Sequence, residues 1–154
     1  MTKAKIKAEH DPVNKPSHYR QHNSGVECID LAEVLSFNVG NSYKYTFRRD
    51  EKENPLQDLQ KAMWYLEREI KRLTILDLVP SAFRKDWTVN PDFSLYHWAL
   101  SKRVIVEEPN PDVSNFYQCL LVSTTIDKYL DNLKDAQIFL NKLIKTYEPK
   151  EEVN

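Results

Sequence analysis

The residues best suited to chemistry lie between Gly40 and Arg48. Asn41, Lys44 and Arg48 recur at spacings of three and four residues, so an α-helix would place them on one side, together with Tyr45. Amide, ammonium and guanidinium groups on one face suit phosphate or carboxylate oxygens. If the helix begins at Gly40, its free N–H groups and the positive end of its dipole favour the same anions. The alternative is a basic face that contacts only solvent.

A second candidate lies earlier, in the run Lys15–Tyr19. Lys15-Pro16 predicts an extended or turn backbone, because proline disfavours the helical conformation of the residue before it. His18 then lies on a loop, where a histidine can act as an acid, a base or a phosphate ligand. The alternative is a surface histidine with one backbone hydrogen bond.

A third helix is predicted to start at Asn54-Pro55, since Asn is a favoured N-cap and Pro is tolerated at the first helical position. Its apolar stripe consists of Leu56, Leu59, Ala62, Met63, Leu66, Ile70 and Leu73. Asp58, Lys61 and Tyr65 lie along the flank of this stripe. The short connection makes the two helices antiparallel neighbours, which brings Asp58 towards Lys44 or Arg48. We expect an ion pair there; contact with substrate or Mg²⁺ is the alternative.

Four segments together resemble one known family. They are Val13–Tyr19, Gly25–Asp30, Gly40–Arg48 and Asn54–Leu66. They resemble a small domain of unknown function that is common in tailed-bacteriophage genomes. That domain is itself similar to the C-terminal part of a podovirus nucleotide kinase without a Walker loop. The similarity covers roughly residues 12–73, and the Cys-rich N-terminal region of the kinase has no counterpart here.

The resemblance implies a phage-encoded protein of the host cytoplasm that handles nucleotides, with phosphoryl transfer to deoxynucleoside monophosphates as its enzymatic form. The expected catalytic residues are His18, Lys44, Arg48 and Asp58, and the expected nucleotide-binding residues are Ser17, Tyr19, Asn41 and Lys61. Lys44 and Arg48 would neutralise the transferring phosphoryl group, and Mg²⁺ would bridge the donor phosphates. His18 or Asp58 would position the acceptor. The alternative is a non-catalytic phage protein that blocks a host factor or sequesters a nucleotide.

The composition narrows the function classes. The net charge is −1, from 22 basic and 23 acidic residues, which argues against a dedicated nucleic-acid-coating protein. The only glycines are Gly25 and Gly40, which excludes a Walker loop and a GxGxxG fingerprint. Cys28 and Cys119 have no CxxC spacing, so we expect free thiols and no zinc site. No apolar run reaches the roughly 18 residues of a membrane helix, so no membrane partner is expected.

The whole pattern predicts an all-α protein built as a small antiparallel helical bundle. The expected organisation is a disordered arm at 1–11, a nucleotide-kinase-like helical domain at 12–76 and a C-terminal helical region for packing or an interface at 77–148. Asn90-Pro91 and Asn110-Pro111 predict two further helix starts. Residues 103–107 are β-branched and predict either a short strand or a helix tail. A strand would need a partner across a dimer, and we expect a homo-oligomer.

The chain also contains a candidate internal repeat. Asp58–Ile70 aligns with Asn132–Ile144 at an offset of 74 residues, although amphipathic helices converge easily on such patterns. At this offset Gln118 and Val122 replace the two cations Lys44 and Arg48. A degenerate second copy would therefore keep the packing and lose the basic face.

Overall fold

The computed structural model of the protein describes residues 11–76 and 78–152. Residues 1–10, and with them most of the predicted arm, lie outside the described residues. The elements in order are a 3-10 helix Ser17–Tyr19, α1 Cys28–Ala32, α2 Phe37–Phe47, α3 Pro55–Leu76, α4 Ser81–Arg84, β1 Thr88–Val89, α5 Leu95–Glu107, α6 Pro111–Leu120, β2 Thr124–Thr125 and α7 Ile126–Tyr147. The predicted all-α class is confirmed, and the described residues also contain one short two-stranded sheet.

Helix α2 begins three residues earlier than predicted. Ser36 is its N-cap, and the Ser36 hydroxyl accepts a hydrogen bond from the Val39 N–H at 3.4 Å. The Gly40 N–H donates to the Ser36 carbonyl at 2.7 Å. The expectation of free N–H groups at Gly40 is therefore wrong, because a serine cap upstream starts the helix at Phe37 and places Gly40 in its interior.

Gly40 instead allows α1 and α2 to approach closely. A Cβ atom at Gly40 would lie 3.0 Å from the Ala32 carbonyl oxygen at the end of α1. The adjacent side of α2 buries Val39, Tyr43 and Phe47, which recur every four residues as on one helix face. The close packing at Gly40 and the burial of these side chains fix the rotation of α2 about its axis, and hence the direction of its polar residues.

Helix α3 is the amphipathic helix that the sequence predicts. The Asn54 side chain accepts a hydrogen bond from the Gln57 N–H at 3.0 Å, so Asn54 caps the helix. The buried stripe of α3 contains Leu59, Ala62, Met63, Leu66 and Leu73. Helix α3 packs against α2 on one side and α7 on the other. It is therefore the central element of the bundle.

The elements after α3 agree with the sequence predictions only in part. Asn110 caps α6 by accepting hydrogen bonds from the Asp112 and Val113 N–H groups. Residues 103–107 are the tail of α5, so of the two predicted alternatives the helix is confirmed. The strands lie elsewhere, with Thr88 opposite Thr125 in an antiparallel pair.

Asn90 does not start a helix. Its φ is +50°, and α5 begins only at Leu95, after Ser94. The Asn90 side chain accepts from the Ser36 N–H at 3.3 Å and donates to the Val122 carbonyl at 2.9 Å and the Tyr129 hydroxyl at 3.1 Å. Asn tolerates the left-handed conformation better than most residues, and these contacts hold it there.

The two halves of the chain share one hydrophobic core, to which α2, α3, α6 and α7 all contribute. Helices α3 and α7 are each 22 residues long and pack against each other. Tyr43 and Tyr117, which are 74 residues apart, meet in the core with ring centroids 5.2 Å apart. Cys28 is buried, Cys119 is half-buried, and both are free thiols as predicted. No helix within the described ranges combines the length and apolarity that crossing a bilayer requires.

Candidate functional site

Three of the predicted site residues of α2 and α3 lie around one aromatic ring. The Lys44 ammonium nitrogen and the Arg48 guanidinium carbon each lie 4.6 Å from the centroid of the Tyr45 ring, and the Lys61 nitrogen lies 5.6 Å from it. The ring of Tyr65 stacks on the Tyr45 ring, with the two centroids 5.9 Å apart and an interplanar angle of 16°. We call Lys44, Arg48 and Lys61 the cation cluster. The attraction of the ring for cations offsets part of their mutual repulsion.

Arg48 is held in place by two partners. Its Nε and Nη2 donate to the two carboxylate oxygens of Asp58 at 3.0 and 3.1 Å, and its Nη1 donates to the Tyr19 hydroxyl at 2.9 Å. Burial acts to lower the pKa of Arg48, but hydrogen bonds and charge from Asp58 and Tyr19 raise it overall. The predicted ion pair is therefore present, and both oxygens of the buried Asp58 carboxylate are engaged by Arg48.

Lys44 and Lys61 have neutral partners instead. The Lys44 ammonium group donates to the Asn41 side-chain oxygen at 2.8 Å, and the Lys61 ammonium group donates to the Gln57 side-chain oxygen at 3.3 Å. Asn41 is itself fixed by donating to the Phe37 carbonyl at 2.8 Å. Burial, followed by repulsion from Arg48, lowers the pKa of Lys44. An anion beside Lys44 would relieve both effects.

Lys44 lies where two surface grooves meet. One groove, of about 310 Å³, runs between residues 13–20 and α1, and its lining is mainly apolar, with Pro16, Tyr19 and Ala32 among its residues. The other, of about 380 Å³, runs between α1 and the first turns of α2 and includes Asn41. Ligand sites combine an apolar wall with a few polar groups that fix orientation, and this junction has that composition.

The segment that forms the outer wall is shaped by local hydrogen bonds. The Asp11 side chain accepts from the backbone N–H groups of Val13 and Asn14, and the Lys15 N–H donates to the Asp11 carbonyl. This tight turn precedes Pro16 and the 3-10 helix that carries Tyr19. The turn thus positions Tyr19 against Arg48.

Ser17 and His18 do not line these two grooves. Ser17 is exposed on the 3-10 helix. His18 lines a separate, smaller groove of about 130 Å³, together with Arg49 and Glu108. Burial, then the charges of Lys52 and Arg48, lowers the pKa of His18. Neither residue therefore completes the cation cluster.

Glu108 connects several residues at the small groove through its carboxylate. Its carboxylate contacts His22 Nε2 at 3.0 Å and accepts from the Arg49 guanidinium at 3.0 Å and from the Asn110 N–H at 3.1 Å. Burial acts to raise the pKa of Glu108, but these partners lower it overall. The role of this buried network is structural, because it joins the loop before α1, the end of α2 and the start of α6.

The sequence analysis placed Tyr45 on the polar face of α2 but gave it no role in the site. Tyr65, expected on the flank of α3, was also given no role, although its ring stacks on Tyr45. The signal was available, since Lys44, Tyr45 and Arg48 occupy one face of a helix, and cations near a tyrosine at these spacings suggest a shared ring.

Residues 13–67 match the profile of one known protein family, described as a protein of unknown function (DUF3310). The matched segment includes all of the predicted site residues, and the ring of Tyr65 as well. Helices α4 to α7 lie outside it. No curated protein and no solved structure matches the chain.

Proposed function

We propose that this protein recognises a nucleotide through its cation cluster, with phosphate oxygens bound at Lys44 and Lys61. The observation that carries the proposal is that the three cations have different hydrogen-bond partners. Arg48 is neutralised by Asp58, whereas the hydrogen bonds of Lys44 and Lys61 go to amide oxygens. Among the described residues neither lysine is paired with a carboxylate, and Lys44 lines both grooves, so the positive charge there favours an anionic ligand.

The neighbouring groove supports the remainder of the ligand. Its wall of Pro16, Tyr19 and Ala32 offers apolar and aromatic contacts to a base or a sugar. A molecule with phosphate at one end and a planar apolar group at the other suits the junction better than inorganic phosphate does.

The catalytic form of the proposal is a phage-encoded, kinase-like transfer of a phosphoryl group from a nucleoside triphosphate to a nucleoside monophosphate, in the cytoplasm of the infected host. Lys44 would neutralise the transferring group, and Arg48, aligned by Asp58, would position it. Within the described ranges no three His, Cys, Asp or Glu side chains are grouped as metal ligands. Mg²⁺ would therefore reach the site on the donor phosphates.

A thermal-shift screen of mono-, di- and triphosphates of ribo- and deoxynucleosides, with and without Mg²⁺, tests the binding. A ligand at 100 times its Kd adds about 2.7 kcal/mol to the stability of the folded state. Lys44→Ala should abolish the shift and leave the unliganded protein as stable as before, because its removal relieves repulsion with Arg48. Lys134→Ala, which removes an exposed lysine of α7, is the matched control and should retain the shift.

Each outcome is informative. A shift that survives Lys44→Ala would place the ligand elsewhere and contradict the proposed site. Binding without formation of a nucleoside diphosphate would leave recognition standing and favour the non-catalytic alternative, sequestration. If no nucleotide stabilises the protein, the nucleotide proposal fails and a host protein becomes the partner to seek.

A further inference from the structure

The exposed face of α3 continues the cation cluster beyond the candidate site. Lys61, Trp64, Arg68 and Lys71 recur every three or four residues and are exposed to solvent. Trp64 is 56 % exposed, and the Arg68 guanidinium carbon lies 5.5 Å from its ring centroid. Lys61 and Lys71 are ten residues apart, so this face extends about 15 Å along the helix.

The charge of this surface is strongly one-sided. Its basic side chains are Lys44, Arg48, Lys61, Arg68, Lys71 and Arg72, and its acidic side chains are Asp58, Glu67 and Glu69. Asp58 and Glu69 are buried in ion pairs, Asp58 with Arg48 and Glu69 with Arg72. Glu67 is exposed and contacts Gln137 of α7. Three net positive charges therefore lie on one surface of a protein whose net charge is −1.

Aromatic rings are interleaved with these charges. Trp64 contacts Tyr65 edge-to-face at 4.9 Å, and Phe37, 76 % exposed at the start of α2, contacts Tyr65 at 6.0 Å. Tyr65 in turn stacks on Tyr45 within the cation cluster. We call the surface formed by α2 and α3, from Phe37 and Lys44 to Lys71, the basic aromatic face.

We propose that the basic aromatic face binds single-stranded nucleic acid. Proteins that bind single strands combine positive charge along the backbone path with aromatic rings on which unpaired bases stack. Exposed Trp64 and Phe37 supply the rings, and Lys61, Arg68 and Lys71 supply the phosphate contacts. A duplex shields its bases within the stack, so the rings favour unpaired strands. The proposal shares only Lys61 with the nucleotide site; Phe37 of α2 and Trp64, Arg68 and Lys71 of α3 lie outside it, so the proposal does not depend on the function proposed above.

Fluorescence anisotropy of a labelled dT12 oligonucleotide, titrated with the full-length protein at about 50 mM salt, tests this. Trp64→Ala should weaken binding roughly tenfold, because stacking contributes about 1–3 kcal/mol per base. The double variant Arg68→Glu/Lys71→Glu should weaken it more, and should make the logarithmic dependence on salt shallower by about 1.4, since each single-strand phosphate contact contributes about 0.7. All three positions are exposed, and circular dichroism confirms folding.

Helix α5 offers a matched control. Trp98 and Lys102 form a second exposed tryptophan–cation pair four residues apart, with the Lys102 nitrogen 5.0 Å from the ring and Trp98 51 % exposed. Helix α5 packs on α1 and α6. Trp98→Ala and Lys102→Glu should leave the affinity for dT12 within twofold of wild type.

Three results would overturn the inference. They are no anisotropy change at tens of micromolar protein, equal weakening by the α5 controls, and a duplex binding as tightly as dT12. Should the face instead join two copies of the chain, sedimentation would show a dimer that Trp64→Ala dissociates, without binding of dT12. The nucleotide thermal shift separates the two proposals, since Arg68→Glu/Lys71→Glu should leave it unchanged.

Discussion

Lys44 and Arg48 carry the same charge one helical turn apart, yet their surroundings assign them different tasks. Arg48 is committed to Asp58 and Tyr19, so it fixes the geometry of the segment around it. Lys44 is bonded to an amide and its pKa is lowered, so it gains most when an anion arrives. In the proposed function, the partner of each cation, and not its charge, decides which of the two recognises the ligand.

His18 carries a pH-dependent prediction at the same scale. Burial and the charges of Lys52 and Arg48 lower its pKa below the usual 6.5 or so. As the pH falls below about 6.5, His18 takes up a proton in the unfolded chain before it does so in the folded protein. The free energy of unfolding therefore falls as the pH drops through the folded-state pKa of His18. NMR titration of the histidine ring protons, assigned with His18→Gln, should give a midpoint below that of an unfolded peptide.

The NMR titration can also contradict the expected direction of the His18 pKa shift. A midpoint at or above the peptide value would mean that Asp58, whose charge acts to raise the pKa of His18, outweighs the two cations. His18→Gln should also flatten the loss of stability on the acid side, which urea unfolding at pH 5 and pH 7 measures.

Helical spacing and a short connection predicted an ion pair of Asp58 with Lys44 or Arg48, and the partner is Arg48. Sequence reasoning could not assign His18 to a separate groove, since the path of residues 11–20 depends on a local turn at Asp11 and on tertiary contact of Tyr19 with Arg48. Helical periodicity determines which side of a helix a side chain lies on, whereas the path of a loop also depends on contacts with residues far away in the sequence.

Among the elements, the three Asn-Pro dipeptides show what local rules decide. Asn54 and Asn110 cap helices, as their side chains favour. Asn90 carries the same signal, but its side chain bonds to α7, to the loop after α6 and to Ser36 before α2. Three tertiary hydrogen bonds outweigh one cap, so α5 begins after Ser94 instead.

These contacts predict unequal costs for the same substitution. Asn110→Ala loses a helix cap and should lower the free energy of unfolding by about 1 kcal/mol. Asn90→Ala leaves several partners unpaired and keeps a strained φ, so it should cost roughly 3 kcal/mol. Urea denaturation of both variants measures the difference. Equal losses would mean that Asn90 is no more than another cap.

At the scale of the whole molecule, the halves before and after residue 77 are bound into one core. Helix α3 packs on α7, and the Glu108 network joins α2 to α6. The sequence predicted the helices of both halves but not this joining. Amphipathic stripes show that a face is buried without showing which partner buries it.

Such a core predicts a single unfolding transition. Tryptophan fluorescence reports on Trp64 in the first half and on Trp87 and Trp98 in the second, while circular dichroism reports on all helices. The two signals should follow one urea curve with the same midpoint. Two separated midpoints would show that the halves unfold independently, contrary to the shared core.

The contact between Tyr43 and Tyr117 has a consequence for stoichiometry. In a symmetric dimer, a residue near the two-fold axis meets its own copy. These tyrosines are counterparts in the 74-residue register and meet in the same way, at 5.2 Å between ring centroids. If the register records a duplication, α2–α3 and α6–α7 correspond to two subunits fused into one chain, of which the second has Gln118 and Val122 in place of the cations. Calorimetric titration would then count one ligand per chain, where a dimer of unfused copies would bind two.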